Sequence, residues 1–244
     1  MSRFFLRDTL LLTIKMFEKK DFTNCIEFHL MGFMTFMKKF DFVLHPWHGI
    51  SPGKKIPNEV DAFIEMCPTD TVKYEVDKES GYIRVDRPQK YSNHCPSLYG
   101  FIPQTYCGDK VASFCMEQTG KKGIKGDGDP LDICVITTSP ITHGSIIIPV
   151  FPIGGMRMID KNEADDKIIG VLRGDMTFSH IRDIKDFPHD LINKLKHYFL
   201  TYKVLPEEDD PIVEIASVYG AEEAKKVITL SLEDYNDKFV LNRY

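Results

Sequence analysis

The sequence predicts a mainly β fold with flanking helices (α+β), built as a closed barrel with two helices packed on it. Three observations predict this. Short segments alternate apolar and polar residues, as in Val72-Lys73-Tyr74-Glu75-Val76. Apolar runs such as Ile133-Cys134-Val135-Ile136 and Ile168-Ile169-Gly170-Val171-Leu172 have the length of buried strands and turn residues at their ends. Two segments near the C-terminal end carry apolar residues at helical spacing instead. With 244 residues, 43% of them hydrophobic and 27% charged, the chain can bury a sizeable core.

The chain opens with Phe4-Phe5-Leu6 and Leu10-Leu11-Leu12, interrupted by Arg7, Asp8 and Lys15. The run is far short of a membrane span, and no small-residue cleavage site follows it. Met31, Met34 and Met37 are alternative starts. Residues 1–36 therefore read as a leader, poorly ordered or a mis-assigned start, and residues 37–244 as a single domain. Residues 45–59 are an irregular lead-in. Trp47, the only Trp, reads as an anchor that packs this arm down. His45 and His48 could ligate a metal, but packing or surface roles are the simpler account.

Strands follow over 61–66 and 72–76, with Lys73 and Glu75 sharing one face of the second. Asp77-Lys78-Glu79-Ser80-Gly81 is a hairpin loop with Gly where a positive φ is useful, and 82–86 returns. On their own, Lys73 and Glu75 are a solvated ion pair, and Tyr99 before Gly100 is as readily a core tyrosine as a ligand contact. Residues 109–126 read as an inserted loop or short hairpin. Further strands are expected over 131–136, 145–149, 151–158 and 168–172. A helix opens at Asp186-Phe187-Pro188, with Pro suited to its first turn, and buries Leu191, Ile192, Leu195, Phe199 and Tyr202. A last strand over 212–218 precedes a second helix from Glu222 to Tyr235.

One stretch concentrates chemistry. Asp127-Gly128-Asp129-Pro130-Leu131-Asp132 places three carboxylates in six positions, stiffened by Pro130 and preceded by Gly126. Close carboxylates resist ionising together unless a cation sits among them. Hard oxygen donors of this kind suit Mg²⁺ or Mn²⁺. Alone, such a cluster is equally a solvated turn. An EF-hand fails on spacing, because Asp132 stands where Gly is required and Thr138 where Glu is required. A second acidic cluster, Asp160 to Lys167, could complete a polynuclear metal site if a barrel brings the two loops together.

Charge and cysteine content narrow the classes. A net charge of −5 argues against general nucleic-acid binding, and an anionic substrate would need local Lys/Arg or metal ions. The six cysteines show neither C-x-x-C nor a His/Cys zinc spacing, which fits reduced thiols and a cytoplasmic location. No phosphate-loop motif supports a nucleotide motor.

Taken together, these residues resemble the soluble family I inorganic pyrophosphatases, over roughly residues 60 to 235. The loop Asp127 to Asp132 fits the family signature D-x-D-P-x-D. Flanking pieces occur in family order: Glu65, Lys73-Tyr74-Glu75, the Asp77–Gly81 loop, Val85-Asp86-Arg87, Pro96 to Gly100, Asp160 to Lys167, and Tyr202-Lys203. The His45-Pro46-Trp47-His48-Gly49 lead-in is similar to the chlamydial-type bacterial branch. Two positions depart from the common pattern: Cys95 stands where many members carry Tyr, and Lys161 where some carry an acidic residue.

The resemblance implies a five-stranded OB-like barrel that hydrolyses inorganic pyrophosphate to two orthophosphates by in-line attack of a metal-activated water. It implies several Mg²⁺ ions, with Mn²⁺ as a substitute, and a homo-oligomer with no nucleic-acid or membrane partner. Asp127, Asp132 and Asp165 would hold the main metal, Asp160 with Asp165 a further one, and Glu65 and Glu75 would support the outer metals. Asp129 would take the proton of the attacking water. Lys73, Arg87, Tyr99, Tyr202 and Lys203 would grip phosphate, with Lys167 beside the metals. The competing readings are another Mg²⁺-dependent phosphohydrolase and a non-enzymatic OB-type binding module, the latter wanting a basic groove lined with stacking aromatics.

Overall fold

Alternation along the chain builds the strands in sequence: β1 (Val60–Met66), β2 (Val72–Val76), β3 (Ile83–Pro88) and β4 (Leu98–Phe101). A helix α1 (Asp109–Thr119) precedes β5 (Lys125–Gly126), β6 (Asp132–Ile136), β7 (Ile146–Asp160), β8 (Glu163–Ala164) and β9 (Lys167–Leu172). A 3₁₀ turn at Ile184–Asp186 leads to α2 (His189–Thr201), then β10 (Val213–Gly220) and α3 (Ala221–Tyr235), whose end winds into a π-helical turn over Asn236–Val240. These elements come from a computed structural model that describes residues 45–203 and 213–241. The leader expected over 1–36 lies outside the described residues. Among those described, no helix is long and apolar enough to cross a membrane.

Five strands form a ring. β1 pairs antiparallel with β4, β4 with β6, and β6 runs parallel to β9. β9 pairs antiparallel with β7, and β7 returns to β1. The expected five-stranded barrel is therefore present as a ring of pairings. β7 was expected as two segments but is one 15-residue strand. The expected interruption at Val150, after Pro149, is absent, and the strand instead turns through a register shift between Pro152 and Gly154. Its first half pairs with β1 and its second half with β10. β2 and β3 form a separate two-stranded hairpin sheet.

Both faces of the ring strands are covered, which explains their continuous apolar runs. Ile133, Val135 and Ile168 face a cluster that includes Val111 of α1 and Ala224, Val227 and Ile228 of α3. Cys134, Ile169 and Val171, on the opposite face, meet Ile192, Leu195 and Phe199 of α2. Trp47 is only 4% exposed, packs with Phe63, Phe101 and Tyr235, and donates from Nε1 to Thr105 O at 2.7 Å. It is the anchor the sequence suggested. His48 packs beside it, its Nδ1 2.8 Å from Tyr235 Oη.

The expected loop or hairpin over 109–126 is corrected by α1, so among the described residues three α-helices rather than two flank the strands. Val111, Ala112 and Cys115 give α1 a narrow buried stripe, and Gly120 ends it in the left-handed conformation. The polar remainder of the helix and the Gly120-Lys121-Lys122-Gly123 tail hid that stripe. The five described cysteines, Cys67, Cys95, Cys107, Cys115 and Cys134, are free and buried.

Candidate active site

The acidic loop is held by contacts that only its glycines permit. A Cβ on Gly126 would lie 2.1 Å from Cys107 O, so the two backbones meet only without a side chain there. Cys107 N then donates to Asp129 O at 2.8 Å, and Gly128 N to Cys107 O at 3.1 Å. Gly128 takes φ 76°, a left-handed value that side chains disfavour. Asp129 N closes the turn on Asp127 Oδ1 at 2.9 Å. Asp132, the last carboxylate, begins β6.

Parallel pairing sets Asp132 of β6 beside Lys167 of β9. Lys167 Nζ donates to Asp132 Oδ2 and to Asp165 Oδ1. Asp165 is tied back to β7 by its N–H, 3.0 Å from Met158 O. Tyr99 of β4 donates from Oη to Asp132 Oδ2 at 2.5 Å. On the hairpin sheet, Lys73 pairs in register with Arg87. Lys73 Nζ donates to Glu75 at 2.8 Å and to Asp86 at 3.0 Å, and Arg87 also donates to Asp86. Lys203, just after α2, donates to Asp160 Oδ2 at the end of β7.

These elements enclose a cavity of about 210 Å³. Eleven of the thirteen expected residues line it: Lys73, Arg87, Tyr99, Asp127, Asp129, Asp132, Asp160, Asp165, Lys167, Tyr202 and Lys203. Glu65 and Glu75 line an adjoining cavity of about 80 Å³ that also touches Lys73, Tyr99, Asp129 and Asp132. Glu163, Tyr198 and Phe199 also line the larger cavity, and the sequence reading missed them. It also missed Asp86, which joins Lys73 to Arg87, and Lys78, which donates to Asp129. Hairpin register could have revealed Asp86, since pairing Lys73 with Arg87 brings it alongside. Cys95 and Lys161 do not line the cavity. Lys161 sits in the tight turn between β7 and β8 at φ 49°.

The electrostatics follow from burial. Burial, then the neighbouring Asp165 charge, pushes the Asp127 carboxyl up to about 9. Burial also raises Asp132, against the pull of Lys167. Burial works the same way on Asp165, but the Lys167 charge and hydrogen bond outweigh it and hold that carboxyl low. Glu65 is driven to about 8 by burial, although Val76 N donates to it at 2.6 Å. Lys167 is 3% exposed; burial opposes its charge, yet Asp132 and Asp165 keep it firmly protonated. Among the described residues, no three His, Cys, Asp or Glu side chains are grouped on a common point. Lys167 and Lys203 stand between the carboxylates and supply their countercharge.

The donor set nonetheless suits a hard divalent cation. Every carboxylate here offers oxygen, the ligand such ions prefer. Asp160 Oδ1 is buried without a hydrogen-bond partner. Asp127 needs more positive charge than the protein provides if it is to ionise near neutrality.

Comparison with known proteins agrees with this geometry. A profile described as inorganic pyrophosphatase matches residues 62–236. An inorganic pyrophosphatase of Chlamydia caviae is 49% identical over 201 residues, 81% of this chain and 93% of that protein. Another, from Ralstonia nicotianae, is 34% identical over 78% of this chain and 98% of its own length. The crystal structure of inorganic pyrophosphatase from Thermus thermophilus aligns with a TM-score of 0.65 at 29% identity, covering 77% of this chain and 97% of that one. Since the matched region carries the ring, the hairpin and both acidic segments, the chain belongs to the inorganic pyrophosphatase family.

Proposed function

We propose that the chain hydrolyses inorganic pyrophosphate to two orthophosphates, with an attacking water in line with the departing phosphate. One observation supports the site assignment: Asp127, Asp132, Asp160 and Asp165 line the same cavity as Lys73, Arg87, Lys203 and Tyr202. The four carboxylates would hold divalent cations, with Mg²⁺ the proposed ion and Mn²⁺ a substitute, and Glu65 and Glu75 would support them from the adjoining cavity. The chemistry such ions would supply there is a water acidic enough to attack near neutral pH and an offset to phosphate charge.

The chain's own groups do the remaining work. Asp129 accepts the proton of the attacking water on its carboxylate. Arg87 offers a forked grip on a phosphate and Lys73 a point charge, both aimed by the hairpin register. Lys203, Tyr202 and Tyr99 add donors around the same anion, and Lys167 keeps Asp132 and Asp165 turned toward the cavity. Fixed donors of this kind stabilise charge that develops on the departing phosphate. A homo-oligomer in the cytoplasm, without nucleic-acid or membrane partners, completes the proposal.

The test is phosphate release from pyrophosphate at neutral pH, with Mg²⁺ and with chelator, beside ATP and a simple phosphomonoester. Rapid release from pyrophosphate alone, abolished by chelator and restored by Mg²⁺, is the expected result. Equal rates on the monoester would refute the substrate assignment.

A further inference from the structure

A buried charged cluster lies directly behind the second acidic segment and outside the cavity. Arg157 of β7 is 1% exposed, the largest of the side chains buried most completely. Its guanidinium donates to Glu223 Oε1 at 2.7 Å and to Asp166 Oδ2 at 3.3 Å. It lies over the rings of Phe114 and Tyr219, 5.0 and 4.9 Å from their centroids. Tyr219 Oη donates to the same Asp166 oxygen at 2.8 Å. Gly155 makes room for this, since a Cβ there would meet the Tyr219 ring at 2.5 Å.

Stability alone does not account for the cluster. Buried ion pairs rarely outdo apolar residues of similar volume, because desolvation offsets the attraction. This one is also imperfect: Arg157 Nε and Asp166 Oδ1 are buried without hydrogen-bond partners. What the cluster does is fix the backbone of a short connection. Asp165 and Lys167 turn toward the cavity, while Asp166 between them turns into the protein. Holding Asp166 from behind sets how far its two neighbours reach forward. Through Arg157, that hold is shared by β7, by β10 and by the first turn of α3.

We propose that Arg157, Asp166 and Tyr219 form a positioning device for Asp165 and Lys167, and so set the affinity of the site for its divalent cation. This rests on the reading of Asp165 as a ligand of that cation. The test is Mn²⁺ binding to the full chain without substrate, followed by the electron paramagnetic resonance signal of free Mn²⁺. Thermal melting is recorded on each protein. Asp166→Asn keeps the shape but removes the charge facing Arg157, and is expected to weaken Mn²⁺ about tenfold, as loss of a residue that orients a ligand commonly does. Tyr219→Phe removes one donor and gives a smaller loss, and it serves as the informative variant if Asp166→Asn does not fold. Asp175→Asn, remote from the cavity, should lower the melting temperature yet leave Mn²⁺ affinity unchanged.

Wild-type affinity in folded Asp166→Asn and Tyr219→Phe, with Asp165→Asn binding poorly, would overturn the positioning role alone. Wild-type affinity in Asp165→Asn would overturn the ligand assignment, and the inference with it.

Discussion

Gly126→Ala is the most exposed consequence of the way the acidic loop is held. The added Cβ would meet Cys107 O at 2.1 Å and both Cys107 C and Gly108 O at 2.7 Å, where ordinary contact begins near 3.4 Å. These are backbone atoms, so no rotamer change relieves the clash. The two segments must separate by about 1 Å or more, at an over-packing cost of roughly 1–3 kcal/mol. Asp127 is the next residue, and Gly126 also pairs with Ala164, one residue before Asp165. The shift therefore reaches both acidic segments. A misplacement of about 1 Å can cost on the order of 10²-fold in rate, and that is the expected loss of turnover at saturating Mg²⁺ and pyrophosphate. Gly128→Ala supplies the comparison. Its nearest neighbour would be Tyr106 Oη at 3.6 Å, so only the backbone penalty at φ 76° remains, about 1–2 kcal/mol. Phosphate release and thermal melting on both variants decide the matter. If folded Gly126→Ala turns over as fast as Gly128→Ala, the close approach does not position the carboxylates.

Three further outcomes are expected. Asp129→Asn removes the proposed base with little change of shape and should cut turnover roughly 10²–10⁴-fold in a steady-state assay; near wild-type turnover would remove the role. Trp47→Ala deletes a buried anchor and its hydrogen bond to Thr105, and should cost about 3–5 kcal/mol in urea unfolding. Asp175 is 1% exposed and accepts from Thr138 N at 2.6 Å, Phe178 N at 2.8 Å, Thr137 Oγ1 at 2.8 Å and Thr177 N at 2.9 Å. Burial works against its charge, but these donors hold the carboxyl below the usual range. Its stabilisation is therefore complete above the unfolded value, about pH 4, and is lost as pH falls through the depressed folded value. Asp175→Asn should lower stability at pH 7 by about 1–3 kcal/mol and flatten this part of the acid limb in melts taken from pH 6 down to pH 2.

Local chemistry was legible in the sequence, and long-range pairing was not. The Asp127–Asp132 loop announced itself because Gly and Pro mark a stiff turn and three close carboxylates need a cation. The alternation of 72–76 placed Lys73 on one face without help from the fold. Helix α1 was missed because its buried stripe is three residues wide in an otherwise polar segment. β7 was split at Val150 because no local period joins the apolar run ending at Pro149 to the one beginning at Phe151, and only the pairing shows one continuous strand. Asp86 and Lys78 act through cross-strand and loop neighbours that period alone does not reveal. The Arg157 cluster joins positions 157, 166, 219 and 223. Its existence depends on β10 pairing with β7, which no local signal dictates.

Two different sheets contribute side chains to one cavity, so its charged groups are assembled from two separate pieces of the fold. Asp127, Asp132, Asp160 and Asp165 ride on the ring or the loops at its rim, whereas Lys73 and Arg87 ride on the separate hairpin. Glu65 of β1 accepts from Val76 N of β2 at 2.6 Å, which fastens the hairpin to the ring at a buried carboxylate. Loosening that one bond would let Lys73 and Arg87 shift as a pair against the carboxylates of the ring, while each sheet kept its own register.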